Sequence, residues 1–225
     1  VDDLAVLPDG DVVAGGWFFA AGGLPANSIV RWRPTTNAWS VLGWGMDDSV
    51  YTVAALPNGD VLAGGAFWYA GSAFCGGISR WSAAQQEWVP LAGGTDGAVL
   101  ALAPLPGGDL VAGGGFQLAG SASVNNIARW NAVSNTWLPM GEGVDSGVEA
   151  VIALDHGDIL VGGSFASAGG APAGAIARWD GASETWSALG TGLTGNPPTV
   201  ARALLRIPGG DVIVGGSFRS AGGLL

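Results

Sequence analysis

Short apolar runs recur along the whole chain, each closed by glycine, proline, asparagine or aspartate. "VYTVAALP" (50–57) is followed by the polar turn "NGD" and then by "VLAGG" (61–65). Further on stand "ISRW" (78–81) and, in a later unit, an aromatic-led run, "TWLPM" (136–140). Runs of this length, rich in β-branched and aromatic residues and bounded by turn formers, predict short strands. No segment sustains the 3.6-residue period of an amphipathic helix. The strands fall into a recurring set of four, here called a, b, c and d. A tight turn joins a to b, where Gly59 supplies the left-handed conformation that such a loop often needs. A glycine-rich loop joins b to c, a turn such as "NAVSNT" joins c to d, and a small-residue run such as "GEGVDSG" leads into the next set.

The recurrence is regular. Arg-Trp stands at 31–32, 80–81, 129–130 and 178–179, a step of 49 residues, and a second Trp follows at 39, 88, 137 and 186. Gly-Asp recurs at 10–11, 59–60, 108–109, 157–158 and 210–211. Gly-Gly recurs at 15–16, 64–65, 113–114, 162–163 and 215–216, with Phe18, Phe67, Phe116, Phe165 and Phe218 two residues on. Four antiparallel strands per unit of this length predict an all-β fold, a β-propeller with one unit per blade. The blades run 1–49, 50–98, 99–147, 148–199 and an incomplete 200–225, and the last step of the Gly-Asp and Gly-Gly markers is lengthened to 53 by "TGNPPT". The whole is one propeller domain or part of one.

"VLAGG" followed by "RWSAAQQEWVPL" resembles the kelch repeat: hydrophobics, a double glycine, then two spaced aromatics. "RWRPTTNAWSVLG" resembles it most closely, although Trp stands where kelch repeats usually carry Tyr. The resemblance implies a propeller and no particular activity, since such propellers serve both as enzymes and as binding scaffolds. The copper oxidases of that class use paired His and Tyr ligands. This chain has one His and two Tyr, so that role does not carry over.

Several markers have a structural reading. The paired Trps pack between neighbouring blades, and the glycine pairs permit close backbone approach. Arg31, Arg80, Arg129 and Arg178 pair with carboxylates, for which Asp11, Asp60, Asp109, Asp158 and Asp211 are the candidates. The fifth unit has strands a and b but no Arg-Trp. Its open edge invites pairing. The chain is then part of a longer array, is completed by another copy, or ends in a two-stranded blade; the first is favoured.

Composition sharpens this picture. Gly 41 and Pro 12 approach a low-complexity profile, but 48% hydrophobic residues and 11 Trp predict a packed core. Eighteen acidic residues against eight basic ones, all Arg, give a net charge of −10. Phosphate backbones and anionic lipid surfaces repel such a chain, so nucleic acid and membrane insertion are set aside as partners. Nucleophilic catalysis needs a base beside the nucleophile. The sole His, His156, falls on an a–b turn, and the sole Cys, Cys75, on a b–c loop, at opposite faces of a blade. No metal site and no cofactor is expected. The nearest thing to a calcium loop is Asp47-Asp48, with Asp96 and Asp145 in the equivalent slot.

The residues that depart from the repeat are aromatic. Trp17, Phe19, Trp44, Trp68, Tyr69 and Phe74 all lie on b–c or d–a connections of the first two units, hence on one face. Other blades do without them. Clustered aromatics of this kind suit a glycan or a protein surface. The expectation is therefore a non-catalytic binding module, extracellular or on a cell surface, using this face. One alternative is a structural repeat module that assembles with other copies or chains through its open half blade. Another is a carboxylate-dependent hydrolase at the propeller mouth.

Overall fold

A computed structural model describes residues 1–195 and 198–222. The lengthened connection "TGNPPT" and the end of the fifth unit thus lie partly outside the described residues. Strands a to d of the first sheet are Asp3–Val6, Val12–Gly15, Ile29–Arg33 and Ala38–Val41, hydrogen-bonded in that order. The second sheet is Val50–Ala55, Val61–Gly65, Ile78–Ser82 and Glu87–Pro90. The third is Ala98–Pro104, Leu110–Gly115, Ile127–Asn131 and Thr136–Pro139. The fourth is Val148–Ala153, Ile159–Gly163, Ile176–Asp180 and Thr185–Ala188. Val200–Arg206 and Val212–Ser217 pair as strands a and b of a fifth. All pairings are antiparallel, and strand a of each sheet packs beside strand a of the next, as a propeller requires.

The core lies between blades. Val13 and Ile29 of the first blade pack with Val50, Val61, Phe67, Trp81 and Trp88 of the second in one buried cluster. The second Trp of each unit also reaches back to the preceding blade. Trp88 Nε1–H donates to the Leu42 carbonyl at 2.9 Å, Trp137 to that of Leu91 at 2.9 Å, and Trp186 to that of Met140 at 2.8 Å. The ring fills the seam and its one polar atom is satisfied there, which is what burying an indole requires.

The two glycines of each pair serve different neighbours. A Cβ on Gly64 would sit 2.7 Å from Val99 Cγ1 of the next blade, whereas one on Gly65 would meet the carbonyl of Ser49, the residue just before its own blade's strand a, at 2.0 Å. The first glycine makes room for the next blade's leading valine. The second lets strand b pass the start of strand a.

The repeated Arg finds the repeated Asp in four blades. Arg31 Nε donates to Asp11 at 2.6 Å, and Arg129 reaches Asp109 through Nε at 3.0 Å and a terminal nitrogen at 2.8 Å. Arg178 pairs with Asp158, while Arg80 stands 3.7 Å from Asp60 with its Nε buried and unbonded. The same aspartates fasten the c–d turn, since the N–H groups of Ala83, Ala132 and Gly181 donate to Asp60, Asp109 and Asp158. Asp211 lies exposed, in a blade whose described residues include no strand c.

One expectation is corrected. The b–c connection is not a plain loop. It folds into a two-residue hairpin in each of four blades: Ala20–Ala21 with Leu24–Pro25, Tyr69–Ala70 with Ala73–Phe74, Leu118–Ala119 with Ala122–Ser123, and Ser167–Ala168 with Ala171–Pro172. Four residues with a glycine at the bend are too few for an alternating pattern to show in the sequence.

Candidate functional site

These hairpins build one rim of the molecule together with the d–a loops. The first three d–a loops cross to the next blade's hairpin through an isolated bridge: Met46 to Ala70, Thr95 to Ala119, and Val144 to Ala168. An aspartate fixes each of these three crossings. Asp47 Oδ1 accepts the N–H groups of Trp68 and Tyr69, both at 2.9 Å. Asp96 does the same for Gln117 and Leu118, and Asp145 for Ala166 and Ser167. Burial pushes the Asp145 carboxyl up, but the Ser167 and Ala166 N–H groups outweigh it and hold it below the usual carboxylate range. Asp47, Asp96 and Asp145 therefore each spend an oxygen on backbone donors. Among the described residues no three His, Cys, Asp or Glu side chains gather as a metal would need.

Five of the six aromatics form two groups on this rim. Trp17 and Phe19 meet edge to face with centroids 6.3 Å apart. In the second blade, Phe74 stacks on Trp68 at 6.0 Å with planes 17° apart, and Tyr69 meets Phe74 edge to face at 5.6 Å. Asp47 holds the backbone that carries Trp68 and Tyr69, and the hairpin register sets Phe74 opposite Tyr69. No ring pairing joins the two groups among the described residues.

Trp44 stands apart from both. Asn27 Nδ2 donates to the Trp44 carbonyl at 2.8 Å, as Asn125 does to that of Glu142 at 2.7 Å. Its backbone is thus held by the repeat, while the residue is 83% exposed. It lines two adjoining grooves. One, of about 490 Å³, is apolar and includes Leu24, Pro25, Ile29 and Val41. The other, of about 390 Å³, includes Ser72, Ala73, Gln86 and Glu87 from the second blade. Asn27 was not singled out in the sequence; its only signal there is the matching Asn125, and blades two and four have Gly76 and Gly174 at that place.

The groups with nucleophilic or basic chemistry lie elsewhere. Cys75 is buried between blades one and two, with its thiol 3.6 Å from the Trp68 carbonyl. Burial pushes that thiol up to about 12. His156 is exposed at the a–b turn of the fourth blade, at a positive φ of 62°.

With this geometry established, comparison with known proteins places the chain. Residues 42–156, just over half of it, match the Rax2 C-terminal β-propeller domain. The chain belongs to that family. Residues 7–34 also match a β-propeller domain of unknown function, DUF5122. The matched families are propellers; neither is described as kelch. No curated protein matches the sequence. Among solved structures, the fold is similar to the extracellular domain of a putative one-component system from B. thetaiotaomicron, with a TM-score of 0.65 at 7% identity over 96% of this chain and 26% of that one. It is also similar to the RRP9 WD40 repeats (TM-score 0.57, 16% identity, 83% of this chain, 49% of that one) and to U3-55K (0.57, 15%, 83% and 50%). The chain spans about a quarter of the first of these structures and about half of the other two. At such identities the likeness is one of fold. No helix among the described residues is long and apolar enough to cross a membrane.

Proposed function

We propose that this chain is a non-catalytic binding module, extracellular or on a cell surface, which takes a glycan or a protein on its hairpin rim through Trp17, Phe19, Trp44, Trp68, Tyr69 and Phe74. Trp44 is the observation that carries the reading. The repeat holds its backbone but places Gly93, Glu142 or Thr191 at the same position elsewhere. Folding therefore does not call for an indole there, and an indole left in water gains most by covering a partner. Flat aromatic faces beside Gln86, Glu87 and Ser72 suit a sugar, whose rings stack and whose hydroxyls seek polar edges.

On this reading the repeat is kelch-like, with blades at 1–49, 50–98, 99–147, 148–199 and 200–225 of one propeller or part of one. The buried thiol and the isolated His156 are why catalysis is left out of it. The solved neighbour described as an extracellular domain accords with the proposed location. The test is calorimetric titration of an oligosaccharide panel against the wild type, Trp44→Ala and Trp68→Ala. Loss of a buried aromatic anchor costs about 2 kcal/mol or more, roughly 30-fold in affinity. Binding that survives both substitutions places the site elsewhere.

A further inference from the structure

Away from the hairpin rim, beside the a–b turns, one of the four Arg–Asp pairs is left unmade. Arg31, Arg129 and Arg178 donate from Nε to their aspartates at 2.6, 3.0 and 3.1 Å. Arg80 Nε stands 3.7 Å from Asp60 Oδ2, and among the described residues it is the one buried side-chain nitrogen or oxygen without a partner. A buried donor without an acceptor costs more than the bond it would form.

The cause stands two residues before Asp60. Asn58 Nδ2 donates to Asp60 Oδ2 at 3.0 Å, and the Ala83 N–H donates to Oδ1 at 2.8 Å. Both carboxylate oxygens are thereby engaged, and the amide holds the one that the other blades give to arginine. The same turn position carries Asp9, Gly107 and His156 in the other complete blades, so the second blade alone among them sets an amide there.

Asp9 shows what a carboxylate does at this place. Its Oδ1 accepts the Asp11 N–H at 3.1 Å, just as Asn58 Oδ1 accepts that of Asp60 at 3.1 Å. Its Oδ2 accepts Arg31 Nη2 at 2.5 Å, which leaves Asp11 Oδ2 to Arg31 Nε. A carboxylate at position 58 would turn a competitor for Asp60 into a second acceptor for Arg80.

The sequence carries a chemical route to that exchange. Asn58 is exposed, and it is followed by Gly59, which has no side chain to shield its nitrogen. The Oδ1 bond to the Asp60 N–H folds the carboxamide back along the Gly59 peptide. We propose that Asn58 is a site of spontaneous deamidation, whose aspartyl product pairs with Arg80 as Asp9 pairs with Arg31. The Gly59 N–H first leaves the Leu56 carbonyl, to which it donates at 2.9 Å, so opening of the turn sets the rate. The Gly59 nitrogen then bonds to Asn58 Cγ, and the Cγ–Nδ2 bond breaks. The leaving nitrogen takes the Gly59 proton and departs as ammonia. Water reopens the cyclic imide without any change of oxidation state. Opening at Cγ restores the main chain and leaves an aspartate; opening at the backbone carbonyl leaves an isoaspartyl link.

The test follows the site and the pairing separately. The 225-residue protein is held at mildly alkaline pH and digested, and its peptides are read by mass spectrometry. The Asn58 peptide gains the mass difference between an amide and an acid ahead of those bearing Asn37 and Asn131, which precede alanine, and Asn58→Gln abolishes the gain. Asn58→Asp raises the melting temperature by roughly 2–4 °C, the shift of about one net hydrogen bond in a chain of this size. The rise is absent when Asn58→Asp is made in Arg80→Met. The converse Asp9→Asn lowers the melting temperature by a similar amount. An Asn58 peptide that gains no mass, or gains it no sooner than those of Asn37 and Asn131, overturns the site. A melting temperature unchanged by Asn58→Asp, raised equally without Arg80, or unchanged by Asp9→Asn overturns the pairing.

Discussion

Replacing the second Trp of a blade by Phe removes one hydrogen bond and part of one ring from a seam, and the chain supplies its own control. In Trp88→Phe the indole N–H leaves the Leu42 carbonyl, which keeps a bond from Gly45 N–H at 3.2 Å. The carbonyl is not orphaned, so the loss is that of one net hydrogen bond, about 1 kcal/mol. The smaller ring also gives up about three buried heavy atoms, or roughly 2 kcal/mol of apolar burial. Together these come to about 3 kcal/mol for Trp88→Phe and for Trp137→Phe. Trp39 is more exposed and has no protein acceptor among the described residues, so Trp39→Phe should cost about 1 kcal/mol or less. In a chain of this size about 1 kcal/mol moves the melting temperature by roughly 2–4 °C. Differential scanning calorimetry should therefore find Trp88→Phe and Trp137→Phe lowered by roughly 6–12 °C, and Trp39→Phe by under about 4 °C. Equal losses at all three positions would refute the claim that the seam, through its hydrogen bond and its burial of the ring, is what makes the second Trp stabilising.

Gly113→Ala sets a Cβ 2.4 Å from Val148 Cγ1 and should destabilise by about 1–3 kcal/mol in urea titration, whereas Gly115→Ala, with open space around it, should be near neutral. Asp109 links acid stability to a named group: burial pushes its carboxyl up, but the Ala132 N–H and Arg129 outweigh it and leave it below the usual range. A depressed folded-state pKa means that its contribution is complete above the unfolded value of about 3.9 and is lost as pH falls through the folded one. The melting temperature should accordingly fall more steeply below about pH 4 in the wild type than in Asp109→Asn. Cys75 should resist thiol reagents in the native protein at pH 8 and react fully in denaturant; prompt native labelling would contradict its burial.

The framework was legible because its markers are single residues at fixed spacing. Gly-Asp, Gly-Gly and Arg-Trp each occupy one register position, and the sheets follow them. The Arg and Asp partners were readable for the same reason, since two opposite charges repeat in step. The hairpin within the b–c connection was not readable: its strands are two residues long and carry Ala, Leu, Pro, Tyr or Ser without pattern. Asp47, Asp96 and Asp145 stood out by position, but their work is done on backbone N–H groups, which leave no trace in side-chain identity. The six aromatics separate on one rim into two ring groups and Trp44 because ring contact depends on hairpin register, which spacing along the chain does not convey.

The proposal of a binding rim is tested most directly by comparing two exposed residues on opposite faces. Trp68 lies on the hairpin rim, while Val133, 94% exposed, lies at a c–d turn. For whichever oligosaccharide or protein ligand the wild type binds, its affinity for Trp68→Ala and Val133→Ala should be measured by calorimetry. The account predicts roughly a 30-fold loss for Trp68→Ala and none for Val133→Ala. An unchanged affinity for Trp68→Ala, with a loss for Val133→Ala, would contradict it.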